Sequence, residues 1–243
     1  GGQNGVFIDG EHEGRVTITS NANGKLTINA SSANSVWGIA CGASNSVKTT
    51  DVVIGGNAQV TINATSNGEN RQVDGIHARN VTIEDNASVN ITAKNTNNST
   101  ASQWVAGIFA ENNVTINTNG NIDIDVSVAG GDSAYSYGIR NCKTTKAGNM
   151  TIKYKKAGSN GWPITGGDVD NTTHAVNVNE DSGNCFASYR YGTPRYVAAI
   201  NGTLAGPGVP KEANSGSGYF LAGDEITLNA PSLQVSETDT TNI

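Results

Sequence analysis

Two aspartates, Asp123 and Asp125, stand two residues apart in the stretch NIDIDV. On a strand that spacing puts both carboxylates on one face, roughly 7 Å apart. Such a pair can serve as general acid and base on a glycosidic bond. It can also hold a calcium ion if further oxygens come from nearby, and Asn90 and Thr92 on the preceding repeat are the candidates. The plainer alternative is a solvated polar ladder in which the two acids face Lys153 and Lys155. A second group is aromatic. Trp37, Trp104, Tyr135 and Tyr137 each fall just ahead of a glycine that recurs along the chain. Rings exposed at one corner of successive repeats would stack on sugars, whereas buried rings would close the turn over the core.

The remaining reactive residues form no constellation. His12, His77 and His174 are scattered, and neither a Ser/His/Asp nor a Cys/His arrangement emerges, so structural or exposed histidines are expected. Cys41, Cys142 and Cys185 are odd in number and lack metal-ligand spacing. They read as small apolar residues, with a Cys142–Cys185 bridge left open. No catalytic residue is assigned. The expectation is a protein that is not an enzyme, with a polysaccharide lyase or glycosidase as the catalytic alternative.

These side chains need a scaffold, and composition limits its kind. Of 243 residues, 36% are hydrophobic and only 15% charged, with 30 Gly and five Pro. Val, Ile, Thr, Asn and Gly in that mixture favour short strands joined by tight turns. The net charge is −6 and the longest basic cluster is TIKYKK, so nucleic acid is not an expected partner. No stretch approaches the roughly 18 apolar residues that a membrane-spanning helix needs.

The scaffold is written as a repeat. Gly5, Gly38, Gly75, Gly107 and Gly138 follow one another at intervals of 33, 37, 32 and 31 residues. Each precedes Val or Ile. A second phrase follows: Val16-Thr17-Ile18, Val52-Val53-Ile54, Val81-Thr82-Ile83, Val114-Thr115-Ile116 and, in the fifth unit, Met150-Thr151-Ile152. A third phrase follows in the first four units, beginning at Leu26, Val60, Val89 and Ile122. Three short period-two strands per unit, separated by polar turns, cannot bury their apolar faces alone. Stacked units can. The expected fold is all-β: a right-handed parallel β-helix of about five coils, each of three strands and about 30 residues.

Alternation assigns the faces. Ile28, Ile62 and Ile91 point inward, as do Cys41, Ala78 and Ala110. Thr27, Thr61, Asn90 and Asp123 form one outward column, and Asn29, Asn63, Thr92 and Asp125 the next. A third outward column runs Thr17, Val53, Thr82, Thr115, Thr151, and a fourth runs Phe7, Ala40, His77, Phe109, Arg140. Val53, Asn90 and Asp123 interrupt the threonines, which argues against a flat ice-binding array. The expected organisation is a β-helix over 1–157, a linker or terminal loop over 158–172, and a small antiparallel β domain or cap with a polar tail over 173–243.

The phrases DGIHARNVTIEDNASVNITA and AGIFAENNVTI resemble repeats of extracellular parallel β-helix proteins of clostridia and related bacteria. These include the calcium-dependent polygalacturonate-binding family. FLAGDEITLNAP is similar to a segment of small β repeats appended to bacterial surface proteins. The first resemblance covers about residues 1–157 and implies a secreted or cell-surface location. It also implies acidic glycans as a ligand class and calcium as the candidate ion. The acidic version of the motif is reduced here to Val73-Asp74-Gly75-Ile76.

The first coil begins within a few residues of Gly1, with no capping repeat ahead of it. An open end of that kind suits another subunit, head to tail. The leading expectation is a non-catalytic, adhesive or fibre-forming surface protein whose partners are its own copies or other cell-surface components. The alternative is a polysaccharide-binding module, calcium-assisted, for acidic glycans such as pectin.

Overall fold

The computed structural model describes residues 3–8, 14–41, 50–130, 135–155 and 160–164, together with seven short strands between 185 and 236. Within it the chain winds as a right-handed parallel β-solenoid of five coils with three walls. The first wall begins with Gln3–Ile8 and Val36–Cys41, and the second with Gly14–Ser20 and Thr50–Gly56. In the next three coils one long strand serves both walls: Gln72–Asp85, Trp104–Thr118 and Tyr135–Lys146. The third wall stacks Lys25–Ser32, Gln59–Ser66, Ser88–Asn95, Asn121–Val128 and Asn149–Lys155. All these neighbours pair in parallel.

Two details depart from the expected layout. The first and second phrases of coils three to five are not parted by a turn. A register shift at Ala78/Asn80 bends one continuous strand from wall to wall, and others between Arg140 and Thr144 do the same in the fifth coil. Four residues between the phrases in the third coil and five in the fourth leave too little chain for a loop. Secondly, Met150-Thr151-Ile152 is the third phrase of the fifth coil, not its second. It pairs with Ile122-Asp123-Ile124, while Thr144 and Thr145 lie opposite Thr115 and Ile116. Thr144 therefore takes the place expected for Thr151 in the second-wall column. Apolar alternation fits either wall equally well. What marks the third wall is the small-residue turn before it, Asn119-Gly120 in one coil and Ala147-Gly148 in the next.

The core follows the alternation. Ile62, Ile91 and Ile124 stack in register, and each is essentially fully buried. Ile39, Ile76, Ile108 and Ile139 do the same under the first wall. Full burial of each such side chain is worth about 1.5–3 kcal/mol. Cys41, Ala78 and Ala110 are buried inward as expected, and the Cys41 thiol is free of any disulfide.

The recurring glycine has a steric cause. A Cβ on Gly75 would fall within 3.0 Å of both the Ile91 side chain and the Gly107 carbonyl oxygen. Gly5, Gly38 and Gly107 meet the equivalent isoleucine and the next glycine in the same way. The column lets first-wall backbone approach the third-wall isoleucines, which is why a glycine returns in every coil.

The two ends differ. Among the described residues, the three strands of the first coil pair on one side only, and Leu26 is 36% exposed. At the other end Glu225–Asn229 pairs antiparallel with Thr151–Lys155, and Ser232–Gln234 pairs antiparallel with Thr144–Lys146. Asn160–Ile164, inside the stretch read as a linker, adds a parallel strand beside Tyr135–Ile139. No helix among the described residues is long and apolar enough to cross a membrane.

Candidate functional site

A polar cluster lies on the outward face of the first wall. An ordinary strand would turn residues 74 and 77 to opposite faces. The glycine break at Gly75 resets the alternation, so Asp74 and His77 both face outward while Val73 and Ile76 are buried. His77 Nδ1 is 3.0 Å from Asp74 Oδ2, and its Nε2 is 3.2 Å from Glu111 Oε1 on the next coil. Gln72 Nε2 donates to the same Asp74 oxygen at 2.7 Å. Asp74 is 1% and His77 6% exposed. Only an imidazole protonated on both nitrogens can donate to both carboxylates at once.

Rings and a cation extend this cluster up the column. The His77 ring stacks on Phe109 with centroids 4.3 Å apart and planes 24° from parallel. The Arg140 guanidinium lies 4.3 Å over the Phe109 ring and 5.5 Å over Tyr137. Imidazole, phenyl and guanidinium thus tie three coils together, with dispersion and cation–π attraction acting along the solenoid axis. The expected column Ala40, His77, Phe109, Arg140 is the observed register. The acidic partners of His77 were not foreseen. Their signal was present in the motif Asp-Gly-Ile-His, where the glycine places two polar residues on one face. Each imidazole nitrogen thus lies within hydrogen-bonding distance of a carboxylate oxygen. An imidazole with both nitrogens occupied abstracts no proton until one contact opens.

Other polar side chains bond from coil to coil. Asp51 accepts Arg79 Nε at 2.8 Å and Nη2 at 3.0 Å, and also Asn80 Nδ2 at 2.9 Å. The bond to the Arg79 guanidinium holds the Asp51 carboxyl below its ordinary range, with Asn80 helping and partial burial opposing. Amides form a ladder along one corner. Asn119 donates to Asn86 at 3.1 Å, Asn86 to Asn57 at 3.0 Å, and Asn57 to the Asn21 carbonyl at 3.0 Å. On the third wall Asn63 donates to Asn29 at 2.8 Å.

Asp123 and Asp125 do share the outward third-wall face, in register with Asn90 and Thr92 below and with Thr151 and Lys153 above. Lys94 Nζ lies 2.8 Å from Asp125 Oδ2. Asp123 borders an open groove of about 300 Å3 lined also by Gln59, Thr61, Ser88, Asn90 and Asn121. A calcium ion takes six to eight oxygens, and here it would compete with the Lys94 ammonium for Asp125. Among the described residues no group of three or more His, Cys, Asp or Glu is arranged to hold a metal.

The four aromatic candidates fall in two columns. Trp37 is in register with Asp74, Ala106 and Tyr137, so two coils part Trp37 from Tyr137. Trp104 and Tyr135 are immediate neighbours in the other column, beside Gln72. Trp104 is 39% exposed and Tyr137 is buried at 5%. The side chains of Tyr135, Cys142, Lys153, Lys155 and Cys185, and the whole of His12 and His174, lie outside the described residues, so the proposed Cys142–Cys185 bridge does too.

No protein-family model, no curated protein and no solved structure matches the chain. The likeness to β-helix repeats therefore rests on the repeat phrases and on the solenoid they form.

Proposed function

We propose that this chain is a non-catalytic, extracellular β-solenoid building block that adheres or assembles end to end. One observation carries the reading: three ionisable pairs among the described residues serve as rungs between coils. Asp51 meets Arg79, His77 meets Glu111, and Asp125 meets Lys94, each across one coil step. Groups committed in this way stabilise a rod rather than wait for a substrate. Assembly of this kind would run through the solenoid's parallel strand edges, which accept a further parallel coil. Sedimentation and negative-stain images over a concentration series test it. Rods that lengthen with concentration support it, and a monomer of constant size throughout removes end-to-end assembly. Incubation with polygalacturonate tests the non-catalytic part, and release of unsaturated or reducing ends would overturn it.

A second reading is favoured by Trp104, which stands exposed with Tyr135 beside it in register. The exposed Trp104 ring suits the face of a sugar, with acidic glycans as the class and calcium as an assisting ion at Asp123. A glycan array with and without chelator tests this, using Trp104→Ala as the control. Loss of signal in the variant supports binding at Trp104, and equal signal in both proteins excludes it.

A further inference from the structure

Described turns of the solenoid contain Asn-Gly pairs at Asn23-Gly24, Asn67-Gly68 and Asn119-Gly120, and the last two share one geometry. Both glycines are imposed by space. A Cβ on Gly68 would fall within 3.0 Å of the Ala33 carbonyl oxygen, and one on Gly120 within 3.0 Å of the Ala87 carbonyl oxygen. Coil-to-coil bonds hold both asparagines, through the side chain at Asn119 and through the backbone at Asn67. Asn119 Nδ2 donates to Asn86 Oδ1 at 3.1 Å, and Asn67 N donates to Ser32 O at 3.2 Å. Each turn thus holds the dipeptide most prone to lose its amide, since glycine offers no side chain to hinder attack by its own nitrogen.

The chemistry needs no partner but water. The glycine nitrogen gives up its proton and bonds to Asn Cγ. The Cγ–Nδ2 bond breaks and ammonia leaves, giving a succinimide. Water then opens the ring to aspartate or isoaspartate. At Asn119 the product would set a carboxylate against Asn86 Oδ1 in place of a donor, and isoaspartate would add a backbone atom to a turn that has no room for it.

Each glycine nitrogen is held by a hydroxyl. Gly68 N donates to Ser66 Oγ at 3.1 Å and Gly120 N donates to Thr118 Oγ1 at 3.0 Å. Those hydroxyls have their own protons committed, Ser66 Oγ to Asn34 O and Thr118 Oγ1 to Ala87 O, each at 2.8 Å. A lone pair is thereby fixed toward the glycine amide. Ser66 is fully buried and Thr118 3% exposed, so water does not replace them. Loss of the amide proton would leave an anionic nitrogen facing that lone pair, which disfavours the attacking form.

We infer that Asn67 and Asn119 are deamidation sites kept silent by the Ser66 and Thr118 hydroxyls. The test incubates the full chain at mildly alkaline pH and maps aspartate and isoaspartate by peptide mass spectrometry. Thr118→Val is expected to raise conversion at Asn119 about tenfold, the rate change that one hydrogen bond can supply, with Asn67 unchanged. Ser66→Ala is expected to do the reverse, and Thr118→Ser, which restores the hydroxyl, to match the wild type. Equal rates in Thr118→Val and wild type would overturn the inference. So would both sites rising together in either variant, because a loosened fold rather than a lost acceptor would then be the cause.

Discussion

One methyl group at position 75 is enough to challenge the stack. Gly75→Ala presses a Cβ between Ile91 and the Gly107 carbonyl, and that carbonyl belongs to backbone paired within the wall. Overpacking of this kind costs about 1–3 kcal/mol, read as a lower melting temperature. The paired residues Asn90 and Ile91 test face assignment. Ile91 is fully buried between Ile62 and Ile124, whereas Asn90 is exposed. Ile91→Asp is expected to cost several kcal/mol, since it buries a charge without a partner. Asn90→Asp adds only a salt-screened repulsion from Asp123 in the next coil. Melts in which Asn90→Asp proved the more damaging would invert the faces. Inward and outward positions were legible at this scale because alternation alone decides them. The Asp74–His77–Glu111 cluster was not, because the glycine break shifts the alternation by one residue and Glu111 lies 34 positions from its partner.

Coils are held by bonds between equivalent positions, and the Asp51–Arg79–Asn80 group shows how pH acts on them. Pairing depresses the Asp51 carboxyl. Its contribution is therefore complete above the unfolded carboxylate range and is lost as pH falls through the depressed value in the fold. Asp51→Asn should cost about 0.5–1 kcal/mol near neutral pH, the scale of a partly exposed ion pair. In strong acid its melting temperature should converge on that of the wild type. A gap that persisted unchanged in acid would show that packing, not charge, is the lost element. The three walls were readable from apolar phrases. The wall to which Met150-Thr151-Ile152 belongs was not, because register is set by the turn that precedes a strand rather than by the strand's own pattern. The bent strand joining two walls was missed for a related reason. Polar residues such as Asn80 and Asn113 suggest a turn, yet they sit in ladder pairs with each other.

At the scale of the whole molecule the solenoid is a one-dimensional object, stabilised by each coil's contact with its neighbours. Its described first coil leaves three strand edges unpaired and Leu26 36% exposed, while the last coil is paired by Glu225–Asn229 and Ser232–Gln234. The strands that cover the last coil were not legible, since their place depends on long-range pairing that no local phrase encodes. Leu26→Lys offers a direct probe of the open edge. It places a solvated charge on an exposed side chain and leaves the buried columns intact, so the melting temperature should stay within about 0.5 kcal/mol equivalents of wild type. Negative-stain electron microscopy of wild type and Leu26→Lys, at matched rising concentrations, is the decisive measurement. Rods that grow end to end are expected in the wild type, and short particles of one length in the variant. Wild-type particles of one length at every concentration, or equal growth in both proteins, would contradict that expectation.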